Sequence, residues 1–145
     1  MPYVKPVKPV GVNPALKEDR MPVIKVVNGD TWILEADIWD PVTFAPGTPE
    51  NVKVEFALTE NRFIKDAFWT GKWYDGILPD ENIPGLVHIR VPAEISAALR
   101  RGVYAFSLRV TDLLDTVVDT QLKGHFDVEY EPTSDTHNIP YRKDT

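Results

Sequence analysis

The stretch 99–112 shows the cleanest period of two in the chain: Tyr104, Phe106, Leu108 and Val110 fall on one face, Val103, Ala105, Ser107, Arg109 and Thr111 on the other. Successive side chains leave opposite faces of a pleated backbone, so this pattern specifies a half-buried strand and excludes an amphipathic helix. A strand with one apolar face needs a second apolar layer to cover it.

Several segments repeat the pattern. Val23–Val27 is a short apolar run closed by the turn signal Asn28-Gly29-Asp30. Trp32, Leu34, Ala36 and Ile38 alternate with Thr31, Ile33, Glu35, Asp37 and Trp39, and Asp40-Pro41 ends that strand. After a loop over 41–51 with three prolines, Val52, Val54, Phe56 and Leu58 alternate with Lys53, Glu55, Ala57 and Thr59. Periodicity weakens from Glu60 to Gly85, where one irregular strand near 67–74 and a long loop after it are expected. Val87, Ile89 and Val91 oppose Leu86, His88 and Arg90 in the next strand, and Pro92 to Leu99 reads as one or two helical turns. The stretches 116–121 and 124–130 give a last strand or strand pair with a bulge expected at Gly124.

Short strands at roughly 10-residue spacing, Pro and Gly turns and one helical scrap describe an all-β, immunoglobulin-like antiparallel β-sandwich. Leu99-x-x-Gly102-x-Tyr104 resembles the tyrosine corner of such sandwiches. Trp32, Phe56, Gly102, Tyr104, Phe106 and Leu108 are the fold-defining residues on this reading. The chain lacks cysteine, so no Cys…Trp…Cys pin exists, and Trp32 or Trp39 is expected to fill the centre.

The sandwich is expected over 23–131, flanked by an extended arm (1–22) and a polar tail (132–145). Five of the thirteen prolines lie in the arm, which repeats Val-Lys-Pro-Val around Lys5 and Lys8 and favours extended, polyproline-like geometry. Sixteen bases against twenty-two acids give a net charge of −6. The charge is uneven: residues 1–27 carry five bases and two acids, so a basic leader precedes an acidic body. Such a leader is either solvated or docked on an acidic patch of a neighbouring copy or partner. The absence of cysteine removes disulfides, thiolate metal sites and thiol nucleophiles. The amino terminus lacks the roughly 7–15-residue apolar run of a signal peptide, and no run reaches the ~18 apolar residues of a membrane span. Folding in a cytoplasm is expected.

Catalytic signatures are missing. His88, His125 and His137 sit in separate segments without metal-ligand spacing, and are expected as surface or loop histidines. Ser96, Ser107 and Ser134 are not on nucleophile turns. Asp75, Asp80, Glu81, Asp112, Asp115 and Asp119 lie in or near loops, where acids mostly cap backbone; a hydrolase built on them is the weakest of three readings. Asp112-x-x-Asp115-x-x-x-Asp119 lacks the glycine and terminal glutamate of a calcium loop. Scattered single glycines build no phosphate cradle, and an acidic body with the isolated pair Arg100-Arg101 offers nucleic acid no patch. No cofactor, metal, membrane or nucleic-acid partner is expected. The feature suited to recognition is the aromatic group Trp69, Trp73 and Tyr74, which either caps the sandwich, anchors a protein interface or stacks on sugar rings.

From about 28 to 131 the order of signals resembles immunoglobulin-like domains of tailed-bacteriophage virions, such as the amino-terminal domain of upper-baseplate proteins. The carrying motifs are Gly29-Asp30-Thr31, Val52-x-Val-x-Phe56-x-Leu58, Gly85-Leu-Val-x-Ile89-x-Val-Pro92, Leu99-x-x-Gly102-x-Tyr104 and Gly124-x-Phe126-x-Val128. The resemblance implies a non-enzymatic virion component, in capsid decoration, head–tail joining or a baseplate, made in the host cytoplasm. It would contact other virion structural proteins and copies of itself. Tyr3, Lys5, Lys8, Trp69, Trp73, Tyr74, Tyr141 and Arg142 are the expected interface residues. A carbohydrate-binding or adhesion module that holds a host glycan on the aromatic group is the alternative.

Overall fold

The computed structural model describes residues 22–60 and 66–130, together with the backbone of Tyr3 and Val4. The elements are β1 (Tyr3–Val4), β2 (Val23–Val27), β3 (Trp32–Asp37), β4 (Val52–Thr59), β5 (Trp69–Trp73), β6 (Gly76–Pro79), β7 (Leu86–Val91), α1 (Ala93–Ala97), β8 (Gly102–Asp112) and β9 (Val118–Glu129). Hydrogen bonding runs in the order β1-β3-β7-β6-β5-β4-β8-β9-β2. Between β5 and β6 it consists of a two-residue parallel contact, where the chain passes from one layer to the other.

The nine strands form one continuous hydrogen-bonded order that folds over on itself, so that β1-β3-β7-β6 makes one layer and β5-β4-β8-β9-β2 the other, with Trp32 of β3 against Phe126 of β9 between them. Strands β3 and β4, adjacent in sequence, enter different layers, as a sandwich requires. The central pairs β3–β7, β4–β8 and β8–β9 are antiparallel, whereas β1–β3 and β2–β9 run parallel along the edges. This is the immunoglobulin-like β-sandwich. Its corner is present as well: the Tyr104 hydroxyl donates to the Arg100 carbonyl at 2.8 Å. Burial of the Tyr104 ring raises the pKa of its phenol, against the lowering effect of that hydrogen bond.

The inner faces interdigitate as the alternation dictates. Trp32, Leu34 and Ala36 of β3 and Val87, Ile89 and Val91 of β7 meet Phe56, Phe106, Leu108 and Phe126 of the opposite layer. Trp32 rather than Trp39 fills the centre, its ring centroid 5.0 Å from that of Phe126 and its indole N–H donating to the Val27 carbonyl at 2.8 Å. The Phe56, Phe106 and Phe126 rings continue the stack at centroid spacings of 5.5 and 4.7 Å. Each buried ring stabilises the fold by about 1.5–3 kcal/mol.

Two local expectations are corrected. The stretch expected as a long loop after residue 74 contains β6, a strand disguised by Gly76 at φ 98° and by Pro79 at its end. The last strand is continuous, and its irregularity lies elsewhere than Gly124. Leu108 pairs with Leu122 and Arg109 with Thr120, so Gln121 is the extra residue. Gly124 stays in register opposite Phe106; a Cβ there would meet the Phe106 ring at 2.6 Å and the Pro22 carbonyl oxygen at 2.8 Å. Its glycine serves close approach. Within the arm, Tyr3 and Val4 form a strand on β3, while Lys5 and Lys8 lie outside the described residues, as do Tyr141, Arg142, His137 and the tail.

Candidate interaction surface

Three connections share one end of the sandwich. Asp37, the last residue of β3, lies opposite Leu86, the first of β7, and Val52, the first of β4, lies opposite Asp112, the last of β8. The loops 38–51, 80–85 and 113–117 therefore emerge together. A backbone bond from Ile38 N–H to the Gly85 carbonyl ties the first two, and one from Gly47 N–H to the Ile38 carbonyl closes the first on itself. Gln121, turned inward by the bulge and fully buried, ties the first loop to β9: its side-chain oxygen accepts the Trp39 N–H at 3.0 Å and its amide donates to the Trp39 carbonyl at 2.7 Å.

Each loop is also folded around its own aspartate. The Asp40 carboxylate accepts the amides of Val42 and Thr43. Asp112 accepts the amides of Thr116 and Val117 at 2.8 and 2.7 Å and the Thr116 hydroxyl. Asp80 accepts the amides of Asn82 and Ile83 at 2.9 and 2.8 Å. Short carboxylates that collect amides a few residues ahead are an efficient way to fix a turn. The Thr116 hydroxyl, then the Val117 amide, hold Asp112 below the ordinary carboxylate range; His88, then the Asn82 and Ile83 amides, do so for Asp80.

With their polar groups turned inward, these loops present apolar side chains outward. Leu114 is 82% exposed and Phe44 52%, and Val42, Ile83, Leu113 and Val117 are exposed with them. Phe44 and Asp115 adopt positive φ (63° and 59°), a conformation that costs a bulky residue like Phe on the order of 1 kcal/mol or more. Lys53 pairs with Asp115 through both carboxylate oxygens at 2.9 Å, an exposed contact of small energetic weight that braces the third loop on β4. The Trp39 indole nitrogen is buried without a hydrogen-bond partner among the described residues.

The aromatic group divides. Trp69 packs edge-on against Phe56 at 6.1 Å, and the Trp73 indole donates to the Val52 carbonyl at 2.9 Å, so both are partly buried against the core. Tyr74, at φ 64°, is 67% exposed and lies 6.5 Å from the Trp73 ring. No broad aromatic platform results. Among the loop acids, Asp80, Asp112 and Asp115 are engaged as described, and Glu81 is exposed beside Asp80.

One grouping escaped the sequence. His88 projects from the outer face of β7 between two carboxylates, with Nδ1 3.2 Å from Glu35 of β3 and Nε2 2.8 Å from Asp80. The register that sets Glu35 opposite His88 is the signal that would have found it. Among the described residues no group of three or more His, Cys, Asp or Glu is placed to hold a metal ion, and no helix is long and apolar enough to cross a membrane.

No family model matches the chain, and no curated protein does. Among solved structures it is similar to the NK cell receptor NKp44, a triggering partner in natural cytotoxicity, at 15% identity over 75% of this chain and 98% of that one, with a TM-score of 0.46. It is also similar to the periplasmic chaperone SfaE at 9% identity, over 85% of this chain and 65% of that one, with a TM-score of 0.32.

Proposed function

We propose that the chain is a non-enzymatic assembly module that binds other proteins through the loop end of its sandwich, and that its setting is a tailed-phage virion. The observation that carries the binding role is the loop end itself: three loops, each fixed by a buried or half-buried aspartate, hold exposed Phe44, Leu113, Leu114 and Val117 away from the core. Large apolar groups on preorganised loops lose little entropy on docking, and central apolar anchors dominate protein interfaces. The virion setting rests on the sequence resemblance, with the arm and tail as further tethers to neighbouring copies and virion proteins.

The test is incorporation into particles. A Phe44→Asp/Leu114→Asp variant should keep the wild-type unfolding midpoint and lose incorporation by at least about tenfold, the effect of 1.4 kcal/mol of binding energy. Normal incorporation of that variant sinks the loop end as the contact surface. Deletion of residues 1–20 should likewise spare the fold and abolish incorporation. The glycan alternative rests first on Tyr74, the exposed ring of the group, because Trp69 and Trp73 are partly buried against the core; loss of binding to a glycan panel in Tyr74→Ala would favour it.

A further inference from the structure

We propose that Glu35, His88 and Asp80 form a proton-operated clasp across the outer face of the β1-β3-β7-β6 layer, closed at Glu35 by the imidazolium and opened there by the neutral ring. The geometry gives the reason. Nε2 is hydrogen-bonded to an Asp80 oxygen at 2.8 Å, whereas Nδ1 lies 3.2 Å from a Glu35 oxygen in an ion pair that exists only while the ring carries both N–H groups. A neutral ring keeps one N–H, and its other nitrogen turns a lone pair toward a carboxylate. One leg must then be lost.

The two legs are unequal. Asp80 sits closer, at 2.8 Å, and its second oxygen is fixed by the Asn82 and Ile83 amides, while its own N–H is bonded to the Leu86 carbonyl. Glu35, at 3.2 Å, has a longer side chain and no such anchorage in the described contacts. The neutral ring therefore keeps Nε2–H on Asp80, and Glu35 is the leg that opens. The other groups that face His88 leave this order unchanged. Asp37 follows Glu35 on the same face of β3, opposite Leu86, and adds negative charge that favours the imidazolium. Arg90 follows His88 on β7, opposite Ile33, and opposes it. From β6 the register partner is the apolar Leu78, and from the loop the remaining acid is Glu81.

The consequence falls on the sheet edge. Glu35 is also the register partner of Tyr3 in β1, so the leg that opens lies where the N-terminal strand joins β3. With the ring doubly protonated, β3, β7 and the 80–85 loop are tied together; with the ring neutral the loop stays tied to β7 and the Glu35 carboxylate is released from His88, able to meet a cationic group of a partner.

The clasp is tested on the isolated full chain by NMR across pH, with no binding partner needed, so its failure is separate from that of the loop-end contact. The His88 ring signals should show the Nε2–H tautomer when neutral, and the Glu35 carboxyl carbon should show a step at the His88 midpoint. That step should vanish in His88→Gln. In Glu35→Gln the Asn82 and Ile83 amides should keep their positions across the same pH range, because the Asp80 leg is untouched. A neutral Nδ1–H tautomer, a Glu35 carboxyl that ignores the His88 midpoint, or a step that survives in His88→Gln would each overturn the clasp.

Discussion

The two ends of the sandwich solve the same problem in opposite ways. At the helix end, backbone groups of distant segments are knitted by two side chains. Asn28 donates to the carbonyls of Ser96 and Leu99, 68 and 71 residues away, and buried Ser96 donates to the Asp30 carbonyl at 2.6 Å and accepts the Gly29 N–H at 3.0 Å. At the loop end each loop satisfies its amides with its own aspartate, two to five residues away. A knitted end is cooperative with the fold; self-capped loops can change their outward residues without disturbing one another. That independence suits a surface whose sequence is set by a partner.

Gln121 is the exception at the loop end, and removing it is the strongest way to break the comparison. Gln121→Leu strands the buried N–H and carbonyl of Trp39, at roughly 1–3 kcal/mol per group. Destabilisation of about 3 kcal/mol is expected in denaturant unfolding. A loss below about 1 kcal/mol would mean that the first loop is self-sufficient like the other two.

Ser96→Ala sharpens it from the other side. The substitution leaves the Gly29 N–H and Asp30 carbonyl without their partner and should cost about 2 kcal/mol. Because the knit is long-range, amide exchange should quicken in both the 28–30 turn and α1. Faster exchange confined to α1 would show that the helix end is no more cooperative than a single loop.

Much of this was legible in the sequence, and the failures are informative. The period of two exposed β8, β3 and β4, because one buried face leaves no freedom in which residues are apolar. Leu99-x-x-Gly102-x-Tyr104 gave the corner, since its hydrogen bond is local. Gln121 could not be read as the bulge, because a bulge is defined by the partner strand and Gly124 offered the stronger local sign. Asp40 and Asp112 were legible as turn residues. The Glu35–His88–Asp80 grouping was not, since it exists only through the β3–β7 register.

Acid offers a subtler probe. Asp80 and Asp112 have lowered folded-state pKa values, so each contributes stability that is present above its unfolded value and lost as pH falls through the folded one. Exchange of the Asn82, Ile83, Thr116 and Val117 amides should therefore accelerate in that acid window, ahead of the Gly29 amide, which leans on an uncharged hydroxyl. Simultaneous acceleration of all five would mean that the loops open only with global unfolding.

The smallest expected effect on stability carries the most about purpose. Phe44 is exposed and at positive φ, a position where glycine removes the Cβ cost but adds unfolded-chain entropy. The two terms are of similar size, so Phe44→Gly should leave stability unchanged or raise it by up to about 1 kcal/mol. On the proposed function, a strained, half-exposed aromatic is retained for an outward contact. The same variant should then weaken particle incorporation. If it destabilises the protein instead, Phe44 is serving its own loop, and the anchor of the loop end has to be sought at Leu113 and Leu114.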